Sequence, residues 1–465
     1  MAFKKSLKIN NMYNNYYFLG IGGIGMSALA RYFKAKGYTV SGYDRTSTQL
    51  TKELEAEGIT ICYSDDVELI GAEFGNAGDT LIVYTPAIPS DNKQFIYFQE
   101  NGYTINKRAQ VLGQITRIER GLCVAGTHGK TTTSTMAAHI LKQSHIDCNA
   151  FLGGIAKNYT SNLMLSDKSD LVVVEADEFD RSFHHLTPYM AVITSTDADH
   201  LDIYGTHEAY LDSFAHFSSL VVEGGVLIVK KGVELEPRIG ENVTLYHYSS
   251  TEKADFCAEN IRIGNGELLF DFITPEERVN DIKLGVPVLV NVENAVAAMA
   301  LAYLNGVTPE ELRSAMASFE GIRRRFETHY RSEAFTMIDD YAHHPVELEA
   351  SIKSVKLLYG DKKIVVVFQP HLYSRTSDYY REFATALSLA DQVALVEIYP
   401  ARELPMEGVT SKIIYDLITS PIKRLTTKAE LINTLREMDF DVLLTVGAGD
   451  IDIYIPQLVT ELSRK

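Results

Sequence analysis

The residue pattern with the clearest chemistry is the stretch GTHGKTT, from Gly126 to Thr132. It follows a strand-like apolar run, LCVAG, and precedes a helix-like pattern over 131–143. The glycines permit a tight turn, the Lys130 ammonium can reach nucleotide phosphates, and the Thr131 hydroxyl can ligate Mg²⁺. The loop is shorter than the standard phosphate-loop pattern, yet its flanking elements favour that interpretation over a solvated turn. We predict that ATP contacts Gly126, Thr127, His128, Gly129, Lys130, Thr131 and Thr132.

A second glycine pattern, GIGGIG, places Gly20, Gly22 and Gly25 between a predicted strand over 16–20 and a predicted helix over 25–37. Such glycines let the backbone approach a diphosphate at a helix N-terminus. Asp44 ends the next predicted strand, where an acid can accept a hydrogen bond from a ribose hydroxyl. The pattern does not distinguish NAD, FAD and a UDP-sugar, and a tight turn without a ligand is an alternative. Two loops indicate two phosphate ligands, a nucleotide-linked substrate and ATP.

Acidic residues follow two apolar runs in the middle of the chain. Glu175 ends the valine run of VVVEADEFD, and His200 lies in DADHLD after the next run. Parallel strands here would bring both residues to the same sheet edge as the Lys130 loop. We therefore predict that one or two Mg²⁺ ions bind Thr131, Glu175 and His200, although histidine is an unusual magnesium ligand. The neighbouring acids are interpreted as solvated or outer residues rather than ligands: Asp177, Glu178, Asp197 and Asp199.

Apolar runs alternate with helix-like stretches along the whole chain of 465 residues. This alternation predicts an α/β fold with parallel sheets and right-handed crossovers. Continuous apolar runs such as IVVVF indicate a sheet that is buried on both faces. We predict three α/β domains, at 1–110, 111–321 and 322–465.

Composition restricts the class of partner. The net charge of −17 argues against a nucleic-acid ligand, because binding to phosphate backbones needs clustered Lys and Arg. No apolar run approaches the ~20 residues of a membrane span. The first 18 residues lack the apolar core of a signal peptide. The four cysteines form no CxxC pair, which suits a reducing cytoplasm.

Eight stretches, in order along the chain, resemble the Mur ligase family: GIGGIGMSALA, AGTHGKTTT, EADEFD, DADHLD, NVENA, RRRFE, DDYAHHP and QPHLYSRT. The resemblance covers nearly the whole chain and is greatest to the branch that adds L-alanine. It implies a Rossmann-like N-terminal domain for a UDP-sugar, a central P-loop-type ATPase domain with a mainly parallel sheet, and a Rossmann-like C-terminal domain for the amino acid. The implied reaction joins L-alanine to the lactyl carboxylate of UDP-N-acetylmuramate through an acyl phosphate, giving ADP and phosphate, in peptidoglycan precursor synthesis.

The resemblance also implies site residues, matched motif by motif. The UDP-sugar would contact Gly20, Gly22, Gly23, Ile24, Gly25, Asp44 and Thr85. Beyond its glycine loop, ATP would contact Asn291, Asn294, Arg325 and Asp340. The amino acid would contact Tyr341, His343, His344, His371 and Arg375. The implied catalytic set is Lys130, Glu175, His200, His343 and Arg375.

Some of these assignments have alternatives. Asn291 would serve equally well as the N-cap of its helix. Arg325 is chosen from the RRR run because the family's arginine directly precedes an aromatic residue, and Arg323 and Arg324 are the alternatives. Arg325 and Asp340 would reach ATP from the third domain and so respond to domain closure.

The chain departs from the family pattern at several positions. Val290 stands where relatives often carry a histidine, Ser195 replaces an asparagine, and Leu372 replaces an arginine of some relatives. No lysine lies between His200 and Lys230, so the carbamylated lysine of several sister ligases is not expected.

Other functions are weaker interpretations. A murein peptide ligase, which attaches a recycled tripeptide to UDP-N-acetylmuramate, is the nearest alternative. A NAD-dependent oxidoreductase would use GIGGIG but would leave Lys130 and Glu175 without a role. A regulatory nucleotide-binding protein would not need Arg325 and Asp340. We expect a cytoplasmic monomer or weak homodimer with no nucleic-acid or membrane partner.

Overall fold

The computed structural model describes residues 13–264, 267–401 and 403–463. The described chain forms three sheets, of five, ten and six strands, with helices packed on each. The predicted class, three α/β domains with mainly parallel sheets, is confirmed. The prediction about a signal peptide concerns the first 18 residues, of which residues 1–12 lie outside the described ranges. Within those ranges no helix combines the length and the hydropathy needed to span a bilayer.

The N-terminal sheet is parallel, with strands and helices in alternation. Its elements are β1 (Asn15–Leu19), α1 (Ile24–Ala35), β2 (Thr39–Tyr43), α2 (Gln49–Ala56), β3 (Thr60–Cys62), β4 (Thr80–Tyr84), α3 (Lys93–Glu100), β5 (Thr104–Lys107) and α4 (Arg108–Ile118). The strand order is β3-β2-β1-β4-β5. The order reverses between β1 and β4, and ligands bind at such a switch point in open α/β sheets. The GIGGIG loop follows β1 at that point, and the predicted boundary at residue 110 lies within α4.

The second sheet has ten strands and carries the other glycine loop. Its elements are β6 (Arg120–Ala125), α5 (Lys130–Gln143), β7 (Asn149–Ala156), β8 (Ser161–Met164), β9 (Leu171–Glu175), β10 (Pro188–Ile193), α6 (Leu201–Tyr204), α7 (His207–Ser219), β11 (Val226–Lys230), β12 (Thr244–Ser249), β13 (Phe256–Gly264), β14 (Glu267–Ile273), β15 (Arg278–Lys283), α8 (Val290–Leu304) and α9 (Pro309–Ser318). The strand order is β15-β14-β13-β12-β11-β10-β6-β9-β7-β8. Strand β6 is parallel to both neighbours, β9 and β10, so the three carboxyl ends share one edge.

The C-terminal sheet has one antiparallel edge strand, β16, and is otherwise parallel. Its elements are β16 (Glu327–Arg331), β17 (Thr336–Asp340), α10 (Pro345–Tyr359), β18 (Ile364–Phe368), α11 (Tyr373–Leu387), β19 (Gln392–Leu395), α12 (Lys412–Tyr415), β20 (Ile422–Leu425), α13 (Leu431–Arg436), β21 (Val442–Val446) and α14 (Ile455–Leu462). The strand order is β16-β17-β21-β18-β19-β20. Val366 and Val367 belong to two different core clusters, as expected when successive side chains point to opposite, buried faces.

By compactness the chain divides into two units. The first comprises the residues up to Glu259 with Phe272–Val279 and Asn294–Met316, and the second comprises Asn260–Asp271, Asn280–Glu293 and the residues from Ala317 onward. The first unit joins the first sheet to most of the second through a common core, in which the Tyr32 and Phe151 rings lie 5.2 Å apart.

Candidate functional site

The first glycine loop lies between the ends of β1, β2 and β4. A Cβ added to Gly20 would lie 2.7 Å from Thr85 Cγ2, so Thr85 packs directly on the loop. The Asp44 carboxylate accepts the Gly22 N–H at 2.8 Å. Gly23 is the N-cap of α1 and Ile24 its first residue. The predicted UDP-sugar residues therefore lie together, and their contact with that ligand stays a prediction.

An arginine that the motifs did not mark lies against the same loop. Arg108 is the first residue of α4, and its Nη1 is 2.9 Å from the position of a Cβ on Gly25. Its Nη2 donates to the Asp177 carboxylate at 3.3 Å. Sequence analysis missed Arg108 because no local pattern links it to a loop so much earlier in the chain.

The second glycine loop joins β6 to α5 in a conformation that favours glycine, with φ of +137° at Gly126 and +81° at Gly129. The segment after β10 holds this loop in place. The Thr127 N–H donates to the Ser195 carbonyl at 3.1 Å, and the His128 N–H donates to Ser195 Oγ at 2.8 Å. The serine that departs from the family pattern thus supplies a hydrogen-bond acceptor to the loop.

Lys130, Thr131 and Thr132 form the first turn of α5. The Lys130 ammonium folds over the loop and donates to the Gly126 carbonyl at 2.6 Å and to Glu178 Oε1 at 2.8 Å. Burial acts to lower the pKa of Lys130, but the acidic neighbours, Glu178 first, outweigh it and raise the pKa. The ammonium is therefore charged and lies where a phosphate loop needs a cation.

The structure excludes a solvated position for Glu178, and its interpretation as an outer acid that does not bind the metal stays a prediction. Its side chain is 1 % exposed, and its carboxylate pairs with Lys130. Burial raises the pKa of Glu178 to about 7, although Lys130 lowers it. A buried charge is destabilising unless it is paired, so Glu178 and Lys130 depend on each other. Asp197, by contrast, has a 60 % exposed side chain.

Glu175 ends β9 beside Val124 of β6. Its carboxylate lies over Gly153, where an added Cβ would collide with it. Its Oε2 is buried and has no hydrogen-bond partner among the residues that the structure describes. A divalent cation satisfies such an oxygen, because Mg²⁺ prefers oxygen ligands. The acid that was predicted to hold Mg²⁺ therefore fits that role.

His200 lies on the other side of Glu178. Its Nε2 is 3.8 Å from Glu178 Oε1 and 3.6 Å from Asp199 Oδ2. In the part of the chain that the structure describes, no group of three or more His, Cys, Asp or Glu residues could hold a metal ion by itself. A Mg²⁺ ion at this edge would thus need phosphate and water oxygens as further ligands. Its binding to Thr131, Glu175 and His200 stays a prediction.

Helix α8 brings an amide group to the second loop. Asn294 Oδ1 lies 2.6 Å from the position of a Cβ on Gly129 and accepts the Thr133 hydroxyl at 3.2 Å. Asn291 lies in the first turn of α8, and its Nδ2 donates to the Val286 carbonyl at 3.3 Å. Asn291 is thus inside the helix rather than at its N-cap.

In the C-terminal domain, the arginines of the RRR run make different contacts. Arg324 has φ of +63° and donates to the carbonyls of Gly447 at 2.6 Å and Gly449 at 3.0 Å. The guanidinium groups of Arg324 and Arg325 pack against the Tyr341 ring, at 5.0 and 5.1 Å from its centroid. Arg324 therefore stabilises the domain interior, and Arg325 stays the predicted ATP contact.

Asp340 ends β17 and is buried. Its carboxylate accepts the Phe326 N–H at 3.2 Å and the Ser351 hydroxyl. Burial raises the pKa of Asp340 to about 6, although Ser351 and Arg325 lower it. The carboxylate therefore has partners within its own domain, and its contact with ATP stays a prediction.

Two motifs meet beyond β17 and β18. The rings of His343 and His371 lie 6.2 Å apart, and Arg375 Nη1 is 3.3 Å from His371 Nδ1. His343 Nδ1 lies 3.1 Å from the Tyr341 carbonyl. Burial lowers the pKa of His343, although Glu347 acts to raise it, and the net shift favours the neutral ring. If Nδ1–H donates to that carbonyl, Nε2 keeps a lone pair that can accept a proton.

Two residues next to this cluster, His344 and Leu372, lie at the starts of helices α10 and α11. His344 is the N-cap of α10, and its ring packs edge to face with Tyr379 at 5.0 Å. Leu372 is the N-cap of α11, with φ of +70°, and its N–H donates to the Tyr399 carbonyl at 3.0 Å. Leu372 thus helps to fix the start of the helix that carries Arg375.

Three family domains match the chain in sequence. Residues 15–120 match the catalytic domain of the Mur ligase family, and residues 124–302 match the Mur ligase middle domain. Residues 324–449 match the Mur ligase glutamate ligase domain.

Curated relatives match over nearly their full length. The chain is 57 % identical over 456 residues to the UDP-N-acetylmuramate–L-alanine ligase of Phocaeicola vulgatus, which covers 98 % of this chain and 99 % of that relative. It is 60 % identical over 438 residues to the ligase of the same name from Porphyromonas gingivalis, with 94 % and 96 % covered.

Solved structures share the fold. The UDP-N-acetylmuramate–alanine ligase of Thermotoga maritima superposes with a TM-score of 0.82 at 28 % identity, covering 97 % of this chain and 99 % of that one. A murein peptide ligase from Psychrobacter arcticus superposes with a TM-score of 0.69 at 23 % identity, covering 97 % of this chain and 99 % of that one.

Proposed function

The chain belongs to the Mur ligase family, and we propose that it joins L-alanine to the lactyl carboxylate of UDP-N-acetylmuramate at the expense of ATP. The products are UDP-N-acetylmuramoyl-L-alanine, ADP and phosphate, and the step belongs to peptidoglycan precursor synthesis. The observation that carries the proposal is the pair of glycine loops within one compact unit, each beside the carboxyl ends of neighbouring parallel strands. Relatives at 57 % and 60 % identity bear the name of this activity.

The chemistry explains why two phosphate loops are needed. A carboxylate does not react with an amine, because its oxide is a poor leaving group. Transfer of the γ-phosphoryl group of ATP to the lactyl carboxylate gives an acyl phosphate and ADP. The amine of alanine attacks the acyl carbon, and phosphate leaves from the tetrahedral intermediate. Phosphoryl transfer depends mainly on positioning and charge neutralisation.

The residues of the first unit fit these tasks. The loop from Gly20 to Gly25 would hold the UDP diphosphate, and the loop before Lys130 would hold the ATP phosphates. Lys130 neutralises developing phosphate charge, since its ammonium is kept charged by Glu178. Thr131, Glu175 and His200 would hold Mg²⁺, which supplies further charge neutralisation when bound.

The C-terminal cluster fits an amino acid. Arg375 can hold the alanine carboxylate by a fork of hydrogen bonds. Burial lowers the pKa of His343 and so favours its neutral form, whose Nε2 can accept a proton from the alanine ammonium. Loss of that proton turns the ammonium into the amine that attacks the acyl phosphate.

We place the enzyme in the cytoplasm, where ATP and UDP-sugars are available. The four cysteines are free thiols, which is compatible with a reducing compartment.

A phosphate-release assay tests the proposal. The full-length protein is incubated with ATP, Mg²⁺ and UDP-N-acetylmuramate, together with L-alanine, glycine, L-serine or a recycled tripeptide. We expect release with L-alanine to exceed that with the other acceptors, and mass spectrometry to detect UDP-N-acetylmuramoyl-L-alanine. Preference for the tripeptide would make the protein a murein peptide ligase, and no release with any acceptor would overturn the ligase assignment.

A further inference from the structure

Arg108 packs on the first glycine loop at a place where a side chain on Gly25 would have to displace its guanidinium. A Cβ on Gly25 would lie 2.9 Å from Arg108 Nη1 and 3.0 Å from its Cδ. Gly25 is not among the glycines with positive φ, so its backbone conformation does not itself require glycine. Because Gly25 has no side chain, the Arg108 guanidinium can pack against the first turn of α1.

Arg108 brings a positive charge close to the N-terminus of α1. In the described structure no side chain caps α1, and its first turn holds no acidic residue. A helix N-terminus carries partial positive charge, so a guanidinium beside it is electrostatically unfavourable unless an anion lies there as well. Asp44, on the far side of the loop, is already a hydrogen-bond acceptor for Gly22. The Asp177 carboxylate offsets the charge of the Arg108 guanidinium alone, so the N-terminus of α1 beside it still favours an anionic ligand.

Asp177 fixes the direction of the guanidinium. Its Oδ2 accepts from Arg108 Nη2 at 3.3 Å, and its Oδ1 accepts the Phe179 N–H at 3.1 Å. The bond to Asp177 uses one of the five N–H donors of the arginine. Asp177 lies between Glu175 and Glu178 in the sequence, and Glu178 contacts Lys130 at the second loop. One ion pair therefore connects the two phosphate loops.

We propose that Arg108 binds the diphosphate of the nucleotide-sugar substrate at the first loop, and that Asp177 is the positioning residue that holds the guanidinium there. A guanidinium fork matches phosphate oxygens in a bidentate geometry. The inference rests on the proposed function, whose residue set includes neither Arg108 nor Asp177.

Calorimetric titration of the full-length protein with UDP and with uridine tests the role of Arg108. We expect Arg108→Ala to weaken UDP binding roughly 10- to 100-fold, as for loss of a charge-assisted hydrogen-bond pair, and to leave uridine binding unchanged. Lys107→Ala is the matched control, because Lys107 is the neighbouring cation and pairs with Asp180 at 2.6 Å. It should change UDP binding by less than about twofold.

A double-mutant cycle tests the contact with Gly25. Gly25→Ala should weaken UDP binding in the wild-type background, since its methyl group displaces the guanidinium. The same substitution should have little effect when Arg108 is already alanine, because the space is then empty. Additive effects of the two substitutions would contradict the proposed contact.

Steady-state kinetics test Asp177. Asp177→Asn should raise the KM for UDP-N-acetylmuramate several-fold and change kcat by less than about twofold, and Asp177→Glu should restore part of the loss. If the ion pair between Asp177 and Arg108 were merely structural, its loss in Asp177→Asn would lower the unfolding temperature without this change in KM.

The outcomes separate the inference from the proposed function. If the wild-type protein does not bind UDP, the proposed substrate is wrong. If the wild type binds UDP and Arg108→Ala binds it equally well, the inference is overturned and the proposed function stands. Should Arg108→Ala unfold at a markedly lower temperature, Arg108→Lys replaces it, with an intermediate loss of UDP affinity expected and an unchanged affinity again overturning the inference.

Discussion

The ammonium of Lys130 lies 2.8 Å from the carboxylate of Glu178 at the second glycine loop, where Glu178 is buried and the Lys130 side chain is 13 % exposed. Lys130 also donates to the Gly126 carbonyl, so the cation is held over the loop from two sides. Glu178 supplies the negative charge that keeps the ammonium charged in this buried place. The pair therefore explains how a largely enclosed cation is held in place for a phosphate.

Replacing Lys130 with alanine should abolish turnover, with a loss of at least about 10²–10³-fold, because a preorganised cation at the transferred phosphoryl group is removed. UDP binding should survive within about twofold, since the first loop is untouched. Phosphate release and calorimetry with UDP measure the two effects. Turnover that persists in Lys130→Ala would contradict the assignment.

The Glu178→Gln variant serves as the comparison for Lys130. Glutamine keeps the size of the side chain but removes the buried counter-charge, so the largely enclosed Lys130 is left beside a neutral amide. Breaking a buried pair in this way typically destabilises by about 3–5 kcal/mol. We expect a lower unfolding temperature and a raised KM for ATP, and a variant with wild-type values for both would show that the pair has no such role.

Glu175 should determine the dependence on Mg²⁺. Within the described part of the chain, its Oε2 is buried without a hydrogen-bond partner, so Glu175→Gln should stabilise or leave unchanged the metal-free protein. The same variant should lose most of the thermal stabilisation that Mg²⁺ and ADP give together to the wild type. Differential scanning fluorimetry with and without EDTA measures both effects.

Gly153→Ala tests the same carboxylate by a different route. The added methyl group would collide with the Glu175 carboxylate and displace it. The concentration of Mg²⁺ needed for half-maximal activity should therefore rise, on the order of tenfold or more. An unchanged requirement for Mg²⁺ would argue against Glu175 as a ligand.

Arg324 and Arg325 should give opposite results on replacement by alanine. Arg324 donates to the Gly447 and Gly449 carbonyls and pairs with buried Asp339, so Arg324→Ala should destabilise the protein by about 3–5 kcal/mol. Arg325→Ala should change stability by less than about 1 kcal/mol and lower turnover. Thermal unfolding and phosphate release on both variants measure the difference, and equal loss of stability would contradict this division.

Asp340 should make stability depend on pH. Burial raises its pKa to about 6, so the folded protein holds the proton more tightly than the unfolded chain does. The stabilisation from this group is therefore complete below about pH 4 and is lost as the pH rises through about 6. Asp340→Asn removes that loss, and the stability of the variant relative to wild type should rise by about 1–3 kcal/mol between pH 4 and pH 7.

Unfolding temperatures at several pH values between 4 and 7 measure this effect. Asp361→Asn, at an exposed position, is the control and should show no such trend. A difference between Asp340→Asn and wild type that does not change with pH would mean that Asp340 does not titrate in this range.

The elements that carry the predicted site could be read from the sequence, because their signals are local. An apolar run, a glycine turn and a helical pattern lie within a few residues of one another at both loops. The predicted helix over 131–143 corresponds to α5 at Lys130–Gln143, and the predicted strand over 16–20 corresponds to β1 at Asn15–Leu19. Glu175 was placed at a strand end for the same reason.

Other contacts depend on residues that are distant in the sequence. Glu178 is separated from Lys130 by 48 positions, Arg108 from Asp177 by 69, and Thr133 from Asn294 by 161. Nothing in the local pattern of an acid such as Glu178 distinguishes a solvated side chain from a buried partner. Only the packing of strands and helices decides which charges lose their water.

The sequence by itself therefore determined the three α/β domains and the two glycine loops, because hydrophobic periodicity and turn residues act over short distances. The tertiary structure decided the pairing of Lys130 with Glu178, the place of Arg108 on Gly25 and the interior role of Arg324. These depend on which side chains are brought together and desolvated when the sheets form, and a linear pattern of residue types does not contain that information.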